Sequence, residues 1–396
     1  VNKKIAEKIE EFIVKHVIAL SIGVLSATIL VTTLYGISLY LQNKEIMEEE
    51  AAKTEIYDAQ TTPIGKNVNT YIHALLDSTD DNIVFSPESM NAALDIYSEL
   101  LVDEDKSLYT EFISNRDYTR YNSASGLELV NRVWINKNAD IHIGKDIDIY
   151  KKGYIKMLDM KNSSKATKIK DDYVSEHTHG FITSTPTVFN NETIFDVMSV
   201  AYFKDIWKAS GGFNEKTINF KNEDGSIVET DGFYTTRAWY IETDQGVSTE
   251  IPYQNGFTFG VILPYDDVEL KDVDITAFID KENTIEREAY VEIPEFEVEN
   301  THKSLLNSLG LKPGKIREDI TKEGGSTNVS QVAKIVVDRT GTEAAAVSEA
   351  HFTVGCVYIP EDKDEPVRII CDRPFAFYIY DTVNNDVAFI GAIRNF

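Results

Sequence analysis

Residues 338–354 read Asp-Arg-Thr-Gly-Thr-Glu-Ala-Ala-Ala-Val-Ser-Glu-Ala-His-Phe-Thr-Val, and from Thr342 onward they alternate. One set, Thr342, Ala344, Ala346, Ser348, Ala350, Phe352 and Val354, is small or apolar throughout. The other, Glu343, Ala345, Val347, Glu349, His351 and Thr353, is mostly polar. Successive side chains of a strand point to opposite faces, so this is the pattern of a strand with one buried face. The buried set nevertheless opens with residues too small to fill a core. A segment of this kind can be a loop in one state and slide into a tight slot of a sheet in another.

Four motifs, the first of them inside this stretch, point the same way. Gly341-Thr342-Glu343-Ala344-Ala345-Ala346 closely resembles the hinge of the serpins, proteins that trap proteases by inserting a cleaved loop into their own β-sheet. Asn82-Ile83-Val84-Phe85-Ser86-Pro87 resembles the segment that opens the second helix of that family. Tyr202-Phe203-Lys204-Asp205-Ile206-Trp207 resembles its "FFKGxW" stretch, and Arg373-Pro374-Phe375-Ala376-Phe377 with Val387-Ala388-Phe389-Ile390-Gly391 resembles its last two strands. The motifs stand in the family's order from about residue 62 to Phe396. The resemblance implies an α+β, serpin-like fold: a large, mostly antiparallel central sheet, additional sheets and a helical layer.

The chain's 396 residues can bury a large core, and no 20–50-residue repeat suggests a solenoid or propeller. Its net charge is −26. A surface this acidic repels nucleic acid and anionic lipid, which need basic patches, so a nucleic-acid function is excluded. The two cysteines, Cys356 and Cys371, build neither a disulfide framework nor a zinc site. Two free thiols are expected, with a loop-closing disulfide as the alternative.

Val17 to Leu41 is 25 residues without a charge. At about 1.5 Å per residue that spans a hydrocarbon core with some tilt, and it outruns the core of a secretory signal. We read residues 17–41 as an uncleaved signal anchor, 1–16 as a cytoplasmic tail, 42–61 as a polar stalk and 62–396 as the folded domain; cleavage and secretion is the alternative. Lys3, Lys4, Lys8 and Lys15 precede the span, against Lys44 and Lys53 after it. That bias puts the N-terminus in the cytoplasm and the domain outside the cell.

Along the domain, a helix is expected from Asn67 to Leu76 and a second, buried one from Ser86-Pro87 to about Leu101. Gly126 to Asn136 reads as a helix end passing into a strand. Ile194 to Phe203, Phe257 to Pro264 and Val291 to Val298 read as strands, and His302 to Leu309 as a short helix. About 45 positions separate Ser86-Pro87 from Asn131, fewer than serpins usually have. The third and fourth helices are therefore expected to be short or absent.

Searches for chemistry return nothing. There is no Gly-x-Ser-x-Gly elbow, no His-Glu-x-x-His and no phosphate-cradling loop. His177-Thr178-His179 could offer two imidazoles on one strand face, but it lacks a third ligand and reads as a polar loop pair. Glu361-Asp362-Lys363-Asp364-Glu365 has a lysine at its centre and no sharp-turn glycine, so it reads as a solvated run rather than a calcium loop. No enzyme activity, metal or cofactor is expected. Asn162, Asn191 and Asn328 head glycosylation acceptor patterns.

The resemblance implies a mechanism in which a target protease, serine or possibly cysteine, attacks the reactive loop at about 341–366. The freed arm, Gly341, Thr342, Glu343, Ala344, Ala345, Ala346, Val347 and Ser348 onward, then joins the sheet. Counting forward from Gly341 by the family's spacing puts the cleaved bond at Gly355-Cys356; counting back from Pro374 gives Lys363-Asp364. Trp207 stands where the sheet must open and is read as core packing and gate together. Ser199 replaces an Asn frequent in that strand, which puts one hydrogen bond of the gate in doubt. The inhibitor is expected to be a monomer; a non-inhibitory surface binding protein with the same fold is the alternative.

Overall fold

The computed structural model describes residues 67–113, 126–144, 153–185, 188–190, 192–208, 213–279, 284–303, 306, 309–321, 326–342 and 367–396. They belong to a compact unit running from Pro63 to Phe396. Helix α1 (Val68–Leu76) buries Val68, Tyr71, Ile72, Leu75 and Leu76, the spacing of an amphipathic helix laid on a core. Strand β1 (Ile83–Phe85) leads into α2 (Pro87–Ser98). Ser86 Oγ caps α2 by accepting from Ser89 N at 3.2 Å, and Pro87 sits in the first turn, where its missing N–H costs nothing. Eleven of the twelve residues of α2 are buried, so this helix runs through the core.

Helix α3 (Asp103–Ile113) follows, then β2 (Leu127–Asn136), β3 (Ile155–Leu158), α4 (Ser163–His177), β4 (Thr193–Phe203), β5 (Asp205–Ile206), β6 (Asn214–Lys221), β7 (Ile227–Glu242), β8 (Gly246–Pro252) and β9 (Phe257–Pro264). The chain continues through α5 (Ile275–Ile279), β10 (Thr284–Pro294), β11 (Phe296–Lys303), β12 (Ser326–Asp338), β13 (Gly341–Thr342), β14 (Val367–Ile370), β15 (Phe375–Asp381) and β16 (Asp386–Ile393).

The strands form two sheets. One has the order β1-β16-β15-β9-β8-β7-β10-β14, with β6 on β7; the other has the order β3-β2-β4-β12-β13-β5, with β11 on β12. Pairing is mostly antiparallel. The exceptions are β10 with β14, β2 with β3, and β4 with β12. Strand β4 is buried at every position, as its nearly continuous apolar run requires. Its odd residues Phe195 and Val197 join the core around α1 and α2, Ala201 and Phe203 join the core shared by the two sheets, and even residues Met198 and Val200 pack under α4.

The α+β reading holds, with four local corrections. Gly126, at φ 82°, is a turn residue before a strand that occupies the whole of 127–136, not the end of a helix. The run at Val291–Val298 is two strands in different sheets, β10 ending at Pro294 and β11 starting at Phe296. His302 lies in β11, not in a helix; its Nε2 bonds Val84 O at 2.8 Å, so side-chain pairing with β1 extends the strand past the point where the apolar pattern stops. His177 ends α4 and His179 pairs with Glu128 at 3.0 Å, so the two imidazoles are not on a strand. Between Pro87 and Leu127 the described residues hold α2 and the 11-residue α3.

Candidate functional site

Parallel pairing of β4 with β12 runs from Ser326 opposite Thr193 to Val332 opposite Val200, and there it stops. Beyond that point the two strands are separate, and β13 occupies the mouth between them. Thr342 pairs with Val337 of β12 on one side and Asp205 of β5 on the other; Gly341 pairs with Asp338 and Ile206. Residues 341 and 342 thus already bridge the mouth of the sheet.

Glycine is required at 341 by close approach. A Cβ there would lie 2.3 Å from Asp205 O and 2.7 Å from Ile206 Cα. Asp338 shapes the turn before it, its Oδ1 accepting from Thr340 N at 2.6 Å and Gly341 N at 3.2 Å. Thr342 is 1 % exposed and its hydroxyl is hydrogen-bonded to that of Tyr253. Trp207 stacks on Tyr253, with ring centroids 4.6 Å apart and 14° between planes, and on Phe213 at 5.4 Å. Its indole Nε1 donates to Asp338 O at 3.1 Å and its backbone N to Thr340 O at 3.2 Å. The tryptophan therefore ties the turn at 338–340 to the end of β5.

Asp205 completes the mouth. Its Oδ1 accepts from Ile206 N at 2.8 Å and Asn255 Nδ2 at 3.1 Å, and its Oδ2 from Asn255 N at 3.0 Å. Burial pushes its carboxyl above the ordinary range against these donors. Burial also raises the Tyr253 phenol well above its usual value, so it is a neutral hydrogen-bonding group.

Further down the seam, α2 is hydrogen-bonded to both strands. Gln331 of β12 accepts from Ser86 N and donates to Ser86 O, each at 2.8 Å. Ser89 Oγ donates to Ser199 Oγ of β4 at 2.9 Å, and Ser86 Oγ donates to Ala388 O at 2.8 Å. Gln331 and Ser199 are register partners. Ser86, Ser89, Ser199 and Gln331 are all 0 % exposed, so parting the strands means breaking buried hydrogen bonds. The serine at 199 is engaged, with Ser89.

Of the residues singled out in the sequence, Gly341, Thr342 and Trp207 come together at the mouth. Glu343, Ala344, Ala345, Ala346, Val347, Ser348, Gly355, Cys356, Lys363 and Asp364 lie outside the described residues, as do residues 17–41. Cys371 is a free, buried thiol, which burial pushes far above the usual range and so makes inert. Tyr253, Asp205, Asn255 and Gln331 escaped the sequence reading. Tyr253 stands 89 residues from Thr342, and no spacing rule links them. Among the described residues no cluster of three or more His, Cys, Asp or Glu could hold a metal, and no helix is long and apolar enough to cross a membrane.

Comparison with known proteins agrees with this architecture. An uncharacterized serpin-like protein of Thermococcus kodakarensis is 25% identical over 387 residues, covering 85% of this chain and 87% of the relative. Leukocyte elastase inhibitor A of Mus musculus is 23% identical, covering 80% and 93%. Iripin-1 of Ixodes ricinus is 26% identical, covering 82% and 91%. The native state of the thermophilic serpin tengpin superimposes with a TM-score of 0.70 at 20% identity, covering 84% of this chain and 93% of that one. Thyroxine-binding globulin in complex with thyroxine superimposes at 0.66 and 17%, covering 84% and 98%. The family described as Serpin (serine protease inhibitor) matches residues 68–396. With that match, and with a hinge seated in the mouth of the seven-stranded sheet, the chain belongs to the serpin family.

Proposed function

We propose that this chain is a protease inhibitor that acts as a suicide substrate: a protease cleaves its reactive loop, and the freed arm enters the seam between β4 and β12. The register at the mouth carries this reading. Continuing the pairing of Thr342 with Val337 and Asp205, two residues at a time, sets position 344 between Ile335 and Phe203. Position 346 falls between Ala333 and Ala201, and 348 between Gln331 and Ser199. Gln331 and Ser199 are already partners. The arm is therefore admitted by sideways parting alone, without slip along either strand. Positions 344 and 346 face the core that holds Ile335, Ala333, Phe203 and Ala201, so small side chains are needed there.

The protease performs the chemistry. Its nucleophile forms an acyl-enzyme with the loop, and insertion drags the enzyme away before water completes hydrolysis. The native state is then metastable, with strain released on insertion. Gly355-Cys356 is the favoured bond, because arm length sets how far the protease travels. Extra residues beyond it cost little, since loop closure rises by about 0.6 kcal/mol per doubling of length. Val354, Gly355 and Cys356 are small and uncharged, which suits an elastase-like or subtilisin-like specificity pocket. The alternative bond, Lys363-Asp364, would suit a trypsin-like enzyme.

Residues 17–41 anchor the inhibitor in a membrane in this reading, with 1–16 in the cytoplasm and the folded domain outside. The uncharged 25-residue run and the lysines before it support this placement. External protease applied to intact cells should reach the domain and spare the N-terminal tail; recovery of the domain inside the cell, or in the medium without residues 1–41, overturns it.

The deciding experiment incubates the protein with a panel of serine and cysteine proteases. An SDS-stable covalent complex is expected with an elastase- or subtilisin-like member, and sequencing the released peptide fixes the bond. Cleavage by every protease with no complex refutes inhibition and leaves a binding protein built on this fold.

A further inference from the structure

Helix α4 carries a lysine where an apolar residue belongs. Its buried positions are Ala166, Lys170 and Val174, four apart and so on one face. Around that face pack Trp134 of β2, Met198 and Val200 of β4, and Val332 of β12. The helix thus straddles the seam between β4 and β12, the two strands that the insertion reading requires to part.

Beneath it lies Asp196 of β4, 0 % exposed. Neither of its carboxylate oxygens has a hydrogen-bond partner, nor does the buried indole Nε1 of Trp134. Trp134 is the antiparallel register partner of Asp196 and shares its face. A carboxylate buried without partners is costly, and the cost disappears once water reaches it. Any movement that lifts α4 hydrates Asp196.

The charged surroundings are simple. Lys170 Nζ lies over the Phe189 ring at 4.5 Å, and its field reaches Asp196. Arg132, on the same face of β2, lies over the Tyr173 ring of α4 at 4.3 Å. Lys334 of β12 is paired with Glu297 and Glu299 of β11. Asn328, the register neighbour on β12, does not titrate, and Leu158, Met160, Ile182 and Phe189 close the remaining sides. The other charged residues of α4 are exposed or half-exposed. Burial raises the Asp196 carboxyl to about 6; Lys170 opposes this, and burial wins.

We propose that Asp196 is a pH-sensitive seat for α4: ionised, it favours the lifted helix and speeds loop insertion; protonated, it lets the helix rest on the seam and slows it. The inference rests on the insertion reading above. The carboxyl titrates about two pH units above its free value, so hydration on lifting changes the rate by about 100-fold in all, of which about 10-fold falls between pH 5 and 7.5.

The test follows uptake of a labelled synthetic peptide copying residues 342–354 by the full chain, from pH 5 to 8. Titration of the peptide's own groups is common to all variants and cancels in the comparison. Uptake by the parent should accelerate with pH, with a midpoint near 6. Asp196→Asn should hold the slow rate at every pH. Lys170→Met, which removes the opposing positive charge, should move the midpoint upward. Uptake by Asp196→Asn with the parent's profile, or an unmoved midpoint in Lys170→Met, overturns the proposal while leaving insertion standing. No uptake by the parent at any pH refutes insertion and this proposal together.

Discussion

Thr342→Arg tests the hinge most directly. Thr342 is 1 % exposed, paired on both sides, and bonded to Tyr253. An arginine there either remains in the slot as an unpaired buried charge, at several kcal/mol, or leaves it. Leaving strands the buried Tyr253 hydroxyl, at about 1–3 kcal/mol, and breaks backbone pairs at about 1 kcal/mol each. The smaller of these outcomes is still about 3 kcal/mol, and at 1.4 kcal/mol per factor of ten it slows insertion about 100-fold. Insertion competes with hydrolysis of the acyl-enzyme, so a shift of that size converts an inhibitor into a substrate. Titration of the target protease, with SDS gels counting covalent complex against cleaved product, reads this ratio. Thr342→Ser keeps the hydroxyl and should inhibit like the parent. Glu343→Arg, placed on the opposite face by the alternation, should be tolerated. Unchanged stoichiometry in Thr342→Arg refutes the slot argument.

Trp207→Phe removes the indole donor to Asp338 O and part of the stack on Tyr253; a loss of about 1–3 kcal/mol is expected in denaturant unfolding, and no loss would mean that Trp207 does not secure the mouth. Nicking the loop between about Val354 and Lys363 should raise the thermal midpoint by tens of degrees, since about 1 kcal/mol moves a domain of this size by only about 2–4 °C; an unchanged melting curve would show that the arm does not insert. Burial lowers the His302 pKa and wins over the bond to Val84 O, which raises it, so the unfolded chain binds the extra proton and stability falls as pH drops below about 6.5. His302→Gln should flatten that acid limb in pH-dependent unfolding, and an unaltered limb refutes the assignment. Asp196 has the opposite sign: its folded carboxyl at about 6 stands above its ordinary 3.8, so stability is lost as pH rises from about 4 to 6. Asp196→Asn should gain up to about 3 kcal/mol at pH 7.5 and almost nothing at about pH 3; an equal effect at both values would exclude a buried charge as the cause.

The sequence determined what local rules encode. Ser86-Pro87 announces a helix start because capping and the missing N–H act within four residues. The apolar run at 194–203 announces a strand covered on both sides, and the alternation after Gly341 announces a strand that the isolated chain has nowhere to place. Motifs in a family's order then supplied the fold. The break at Glu295 and the extension of β11 through His302 were not legible, because a change of sheet and a side-chain bond to β1 leave no periodic mark. The tertiary structure alone decided the mouth itself. It sets Thr342 against Tyr253, and Gly341 against the backbone of Asp205, across separations of 89 and 136 residues. It also put a lysine and an unpartnered aspartate beneath one helix, 26 residues apart. In the sequence each is one charged residue in an otherwise ordinary element. Burial against the other gives them meaning, because the cost of a charge depends on the water around it, and only the packed fold removes that water.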